Sequence, residues 1–230
     1  MINFIENSLF FGAALSLAGY EVGLLLKKKF KMALFNPLLI AILCVMGMLQ
    51  LMQVDYKTYN AGGQYISYLL TPATVCLAVP LYRQLTLLRK NLKAVVIGIV
   101  SGVLASMVSV LLLAKLFRLS HEQYVTLLPK SITTAIGMGV SEELGGIVTI
   151  TVAVIIITGV LGNMIAETVI RLAHIEEPIA KGLALGTSAH AIGTAKAMEL
   201  GEVEGAMSSL AIAVSGLMTV VVVPLMAGLI

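Results

Sequence analysis

Residues 178–200, PIAKGLALGTSAHAIGTAKAMEL, form an apolar stretch that polar side chains and glycines interrupt. The stretch is long enough to cross a bilayer, which takes ~20 residues. On a regular helix, Thr187, His190 and Thr194 would share one stripe. Polar groups at membrane depth are costly and mark substrate or ion pathways. A second stripe, against which a neighbouring backbone can pack closely, consists of the glycines Gly182, Gly186 and Gly193.

The composition predicts an integral membrane protein embedded in a lipid bilayer. Of the 230 residues, 59% are hydrophobic and 12% are charged, whereas a soluble domain carries about 25% charged residues. The net charge of +3 is modest, and the basic residues lie beside apolar segments, which argues against nucleic acid as a partner. Cys44 and Cys76 lie inside apolar segments, so we predict neither a disulfide nor a metal site, and no cofactor.

Eight apolar elements approach the length of a membrane span, and together they predict one all-α, polytopic membrane domain over residues 1–230. Three elements are interrupted, by Pro72 and Pro80, by Pro129, and by the glycines of the last stretch. Their similar placement suggests inverted repeats, and broken segments in corresponding places indicate a transporter's binding site. The elements are 5–26, 33–53, 61–82, 92–116, 121–141, 147–171, 178–200 and 204–229.

Positive charge in the loops predicts the orientation in the membrane. Basic clusters follow the first and the third elements, which places both loops in the cytoplasm and the N-terminus outside. If all eight elements cross, Arg171 and Lys181 lie outside, against the rule. If 121–141 and 178–200 are re-entrant from opposite faces, both residues lie in the cytoplasm. We favour the re-entrant topology, and full crossing remains the alternative.

The segment after Pro129 is a candidate anion site. Proline removes a backbone donor, and a helix that resumes after it presents free N–H groups and a positive dipole end. Such groups, with hydroxyls and one ammonium, suit a carboxylate. The alternatives are a lysine that snorkels to the interface and hydroxyls bonded to helix carbonyls. The candidate ligands are Lys130, Ser131, Thr133 and Thr134, with Thr71 and Thr74 on an opposite wall.

The 178–200 stretch supplies further candidate substrate ligands: Thr187, Ser188, His190 and Thr194. Histidine changes charge near neutral pH, so His190 is a candidate proton carrier. The alternative is a neutral histidine hydrogen-bonded to Thr187 or Thr194. Glu167 is predicted to pair with Arg171 four residues on, and is otherwise the next candidate for proton or cation coupling. No HExxH or CxxC motif occurs, so we predict no enzyme and no catalytic residues.

Four segments together resemble the LrgB/CidB family of bacterial antiholin-like membrane proteins, which has a plastid glycolate/glycerate transporter as a plant relative. They are LTPATVCLAVPLY (70–82), LLPKSITTAIGM (127–138), IITGVLGN (156–163) and GLALGTSAHAIGTAKAMELGEVEGAMSSL (182–210). The resemblance implies a bacterial inner-membrane location, a small LrgA/CidA-like membrane partner, a homo-oligomer and transport of small monocarboxylates such as pyruvate, glycolate or glycerate. It also implies an alternative, a regulator of murein hydrolase activity and cell lysis that acts through oligomeric assembly. We predict transport by alternating access as the main function.

Overall fold

A computed structural model describes residues 8, 10–30, 32 and 35–230. These residues form helices joined by short turns, and no β-strand occurs among them, which confirms the predicted all-α class. They pack as two compact units that divide between Cys76 and Leu77. The start of the first predicted element at residue 5 and the N-terminus, predicted outside, fall outside the described residues.

The first unit consists of α1 (Phe11–Phe30), α2 (Pro37–Met52), α3 (Tyr56–Ser67) and α4 (Leu70–Cys76). Helix α2 begins where it does because the Asn36 side chain accepts hydrogen bonds from the backbone N–H groups of Leu38 and Leu39, at 2.9 and 3.2 Å. Pro37 follows at the first helical position, where its missing N–H has no cost. Helix α1 packs closely on α2, since a Cβ added at Gly23 would lie 2.6 Å from the Pro37 carbonyl oxygen.

The second unit consists of eight helices. They are α5 (Ala78–Arg83), α6 (Leu85–Lys90), α7 (Leu92–Phe117), α8 (His121–Leu127), α9 (Thr134–Glu143), α10 (Val148–Leu172), α11 (Pro178–Leu200) and α12 (Glu202–Ala227). Helix α11 lies at the centre, where it packs along α12 and against α7 and α10. Within the described part of the chain, four stretches are long and apolar enough to cross a membrane: Tyr56–Arg83, Leu92–Phe117, Val148–Leu172 and Glu202–Ala227.

One face of α7 supplies much of the core of the second unit. Val95, Ile99, Val103 and Met107 recur every four residues and are at most 3% exposed. They form one apolar cluster with Leu183 of α11 and with residues of α12. In a bilayer these contacts stabilise the fold through close van der Waals packing, because lipid tails are as apolar as the side chains themselves. Other large apolar side chains of α7 remain exposed, as expected of a surface in contact with lipid: Ile97, Leu112, Leu113 and Leu116.

The interruptions predicted from proline are present in the structure. The 61–82 element is divided among the end of α3, α4 and α5, with Pro72 in α4 and Pro80 in α5. The 121–141 element is divided into α8 and α9 by the turn at 128–133, which contains Pro129. Because α8 has 7 residues and α9 has 10, neither helix alone is long enough to cross a bilayer.

Candidate functional site: a hydroxyl-lined pocket beside a broken helix

Helix α11 is broken near its middle, at Ala189 and His190. Ala189 has φ −126° and ψ 16°, and His190 has φ 41° and ψ −135°. A positive φ is uncommon for a residue with a side chain. The carbonyls near the break find side-chain donors: Thr194 Oγ1 donates to the His190 carbonyl at 3.1 Å, and Asn163 of α10 donates to the Ile192 carbonyl at 3.0 Å. The prediction that 178–200 is an interrupted segment is therefore confirmed.

The break changes the environment that we predicted for His190. Its Nε2 donates to the Ile155 carbonyl of α10 at 2.9 Å, because a carbonyl can only accept. Thr187 donates instead to the Leu183 carbonyl at 2.8 Å, and Thr194 bonds to Ser208 of α12 at 2.7 Å. The prediction that these two threonines hold the imidazole is wrong. Helical periodicity does not carry across residue 190, so the three side chains do not share a stripe.

The predicted close packing through glycines is confirmed for Gly182 and Gly186, whereas Gly193, beyond the break, lies against Leu185 and Ala189 of its own helix. A Cβ at Gly186 would lie 2.5 Å from the Ser208 carbonyl oxygen, and one at Gly182 would overlap the Glu204 carbonyl. On α10, a Cβ at Gly159 would lie 2.7 Å from the His190 ring, and one at Gly162 would lie 2.5 Å from Ala189 Cβ. The helix is thus in close contact on both sides of its break: α12 presents backbone to the glycines of α11, and α10 presents its glycines to the side chains of His190 and Ala189.

A pocket of about 860 Å³ lies in the second unit between α7, α11 and the 128–133 turn. We call it the hydroxyl pocket, because seven of its lining residues carry a hydroxyl or ammonium group. A volume of this size is within the roughly 300–1,000 Å³ of small-molecule sites. Glu177 and Asn91 also contribute to the lining. The seven residues are Ser101, Ser106, Ser109, Lys130, Ser131, Thr187 and Ser188.

Lys130 is the cationic residue of the hydroxyl pocket, and it belongs to a short chain of hydrogen bonds. Its Nζ donates to Ser131 Oγ at 2.9 Å, and Ser106 Oγ of α7 donates to the same oxygen at 3.0 Å. Ser131 is 7% exposed and Lys130 is partly buried. The turn places both residues here because Pro129 ends the preceding helix and α9 starts only at Thr134. The arrangement can present donors to an anion.

The structure brings together four of the predicted substrate ligands, Lys130, Ser131, Thr187 and Ser188. Thr133 occupies the N-cap position of α9 without a side-chain capping bond and Thr134 begins the helix, and neither contributes to the pocket lining. His190 and Thr194 are buried in contacts with α10 and α12. Thr71 is exposed on α4 in the first unit. Thr74 also lies on α4, and its side chain is outside the described residues.

Sequence analysis missed the serines of α7, because this element reads as a nearly continuous apolar helix. A signal was present in the spacing: Gly98, Gly102, Ser106 and Ser109 recur at intervals of three or four residues and therefore share one face. In the structure the glycines of this face lie against α11, where a Cβ at Gly102 would lie 2.7 Å from Thr187 Oγ1, and Ser106 bonds to Ser131 of the turn. Two glycines followed by two serines at this spacing indicate a small, partly polar face on an otherwise apolar helix.

The partner that the structure shows for Glu167 differs from the one predicted. Glu167 Oε1 lies 2.5 Å from Lys196 Nζ on the second half of α11. Lys196 also bonds to Glu199 at 3.0 Å on its own helix. We predicted a pair with Arg171 from the spacing along α10, which ignores neighbouring helices. Arg171 lines a separate pocket of about 400 Å³, together with Glu167, His174 and Lys181.

These features define a multi-pass α-helical membrane protein with broken helices beside a polar pocket whose lining includes a lysine. The chain belongs to the LrgB-like family, which it matches over residues 16–229. It is similar to the antiholin-like LrgB proteins of Bacillus mycoides (strain KBAB4), Bacillus cereus (strain B4264) and Bacillus anthracis (strain CDC 684 / NRRL 3495). Each is 40% identical over 217 residues, or 94% of both chains. No solved structure matches the chain.

Proposed function

We propose that the second unit binds small monocarboxylate anions in the hydroxyl pocket and carries them across the membrane by alternating access. The observation that supports this most directly is the Lys130–Ser131–Ser106 chain of hydrogen bonds on the pocket wall. A carboxylate accepts hydrogen bonds from ammonium and hydroxyl groups, and charge-assisted bonds are roughly twice as strong as neutral ones. Partial burial of these donors strengthens their attraction for an anion.

The broken helices support transport over a static scaffold. Discontinuous helices form the substrate sites of many secondary transporters, where the two halves of the protein rock around a fixed site. Here the turn between α8 and α9 supplies Lys130 and Ser131 to the hydroxyl pocket, and α11 supplies Thr187 and Ser188 directly before its break. A protein that works only through oligomeric contacts has no need of hydroxyls and a lysine at such positions.

The second candidate is an antiholin-like regulator of murein hydrolase activity and cell lysis that acts by oligomeric assembly. The name of the Bacillus relatives, antiholin-like protein LrgB, supports this function more directly than it supports transport. Under either function we propose a bacterial inner-membrane location with the N-terminus outside, a homo-oligomer and a small LrgA/CidA-like membrane partner. Lysis phenotypes would follow from blocked carboxylate flux if transport is the molecular activity.

Uptake of radiolabelled pyruvate, glycolate and glycerate into proteoliposomes, with and without the small partner, tests the proposal. Lys130→Gln should weaken anion binding by roughly 10- to 150-fold, because losing a hydrogen bond to a charged group costs about 1.5–3 kcal/mol. Lys115→Gln, an equal change of charge at the exposed end of α7, is the matched control and should bind normally.

Two results would overturn transport and favour the antiholin-like function. One is the absence of uptake and binding in both preparations of the wild-type protein. The other is a Lys130→Gln variant that restores normal control of lysis in cells lacking the wild-type chain, although its anion binding is lost.

A further inference from the structure

Ser215 of α12 carries a buried hydroxyl with no hydrogen-bond partner among the described residues. The residue is 2% exposed. Other helical hydroxyls of the second unit bond back to the carbonyl four residues earlier: Ser209 to Gly205 at 2.8 Å, and Ser188 to Ala184 at 2.6 Å. This default bond is common for serine in apolar helices. Ser215 departs from this pattern, because its hydroxyl makes no such bond to its own helix.

Ser215 lines a small cavity that shares part of its wall with the hydroxyl pocket. The space open to the centre of a water-sized sphere is about 10 Å³, which is close to the ~10–15 Å³ that one water molecule needs. The polar lining consists of Ser215 and Thr219 of α12, Ser131 of the turn, Ser106 of α7 and Thr187 of α11. Three of these five, Ser106, Ser131 and Thr187, also line the hydroxyl pocket.

We propose that this cavity binds one water molecule, which joins the Ser215 hydroxyl to Ser131 and so makes Ser215 a positioning residue for Lys130. Ser131 Oγ accepts from both Lys130 and Ser106, so its own proton is available to donate to the water. The water donates in turn to Ser215 Oγ. A buried water is typically held by two to four polar partners, and this site offers that number.

The lining favours water over a bound cation. No carboxylate is among the residues of the described chain that line the cavity. Ser131 Oγ already accepts a hydrogen bond from the Lys130 ammonium at 2.9 Å, and this positive charge would repel a cation in the cavity. The space is also too small for a carboxylate, so the substrate itself binds in the larger pocket.

The effect on anion binding rests on the proposed function, whereas the water site itself does not. The water links Ser215 of α12 to Ser131. Ser131 in turn bonds to the Lys130 ammonium and keeps it oriented toward the hydroxyl pocket. Loss of the Ser215 hydroxyl should therefore weaken anion binding by a few fold, without any contact between Ser215 and the anion.

The test compares Ser215→Ala with Ser209→Ala, which removes another buried hydroxyl on the same helix, one that bonds back to Gly205 and lies away from the cavity. Thermal unfolding of the purified full-length protein in detergent, without added anion, distinguishes three bonding states of the Ser215 hydroxyl. A water bridge predicts that Ser215→Ala lowers the melting temperature more than Ser209→Ala does. Equal losses would mean that Ser215 bonds back to its own helix, and a raised melting temperature would mean a dry, unsatisfied hydroxyl. Either result overturns the proposal.

Two further measurements complete the test. An experimental structure at high resolution should show density for one water within hydrogen-bond distance of Ser215 Oγ and Ser131 Oγ, and this density should be absent in Ser215→Ala. Replacing Na⁺ with N-methylglucamine should leave the melting temperature unchanged, and a cation-dependent shift would overturn the assignment to water. If the wild-type protein binds no anion but passes these tests, only the proposed function fails.

Discussion

Lys196, on the second half of α11, lies 2.5 Å from Glu167 of α10, measured from Nζ to Oε1. The lysine side chain is 12% exposed, whereas the Glu167 side chain is 54% exposed. Glu199 supplies a second carboxylate to the same ammonium at 3.0 Å. The lysine is therefore the desolvated member of the cluster and depends on having at least one carboxylate close to it.

The first prediction concerns this cluster. Glu167→Gln and Glu199→Gln should each lower stability only slightly, by about 0.2–1 kcal/mol, because both carboxylates are largely solvated and Lys196 keeps one of them. The double variant should lose more than the sum, since it leaves a mostly buried ammonium without a carboxylate. Thermal unfolding in detergent measures the cycle, with exposed Glu143→Gln as the charge control. Additive losses would show that the two carboxylates act independently.

The second prediction follows from the backbone of His190, whose φ is 41°. His190→Gly and His190→Ala both lose the hydrogen bond to Ile155, but glycine adopts a positive φ without steric conflict. The glycine variant should be more stable than the alanine variant by about 1 kcal/mol, measured by thermal unfolding. The order should reverse at Leu185, which lies in regular helix. A more stable alanine variant at 190 would contradict the broken helix.

The third prediction concerns packing at Gly186. Alanine there would overlap the backbone of Ser208, so Gly186→Ala should destabilise the protein by about 1–3 kcal/mol. Gly139, inside α9, has open space around the position of an added Cβ. Gly139→Ala should therefore stabilise the protein by about 0.4–1 kcal/mol. If Gly186→Ala leaves the stability unchanged or raises it in thermal unfolding, the close approach of α11 to α12 is wrong.

The fourth prediction tests the topology. A cysteine at Ala173, in a background lacking Cys44 and Cys76, should be protected from impermeant thiol reagents added outside intact cells if 121–141 is re-entrant. Ala173 follows α10, is exposed and has an ordinary φ of −84°, whereas the neighbouring His174 has a φ of 51°. Labelling of permeabilised cells controls for reactivity. Ready labelling from outside would indicate that all eight elements cross.

Sequence was informative where structure depends on local backbone chemistry. Proline removes a backbone donor and so kinks or ends a helix, and Pro129 lies in the turn where the 121–141 element is divided. Glycines at 182 and 186 mark a close approach, because no other residue leaves that space. The approximate positions of the long helices could also be predicted, because a membrane span must be apolar over a fixed length.

Sequence was uninformative where the outcome depends on which helices become neighbours. Ser106 and Ser131 are 25 residues apart along the chain, and nothing local indicates that their hydroxyls meet at 3.0 Å. The break at His190 has no proline to mark it, so the expected stripe with Thr187 and Thr194 seemed regular. Lys196 likewise reaches Glu167 only because α10 packs beside α11.

The glycine contacts around α11 also determine at which positions a second substitution could compensate for the loss of a glycine. Gly186 faces the carbonyl oxygen of Ser208, and every amino acid carries that atom. No replacement at 208 can make room for a larger residue at 186, so the two positions should not covary among homologues. Gly162 instead faces the Cβ of Ala189, which a glycine at 189 would remove. Homologues with alanine at 162 should therefore carry glycine at 189, while position 186 stays glycine throughout.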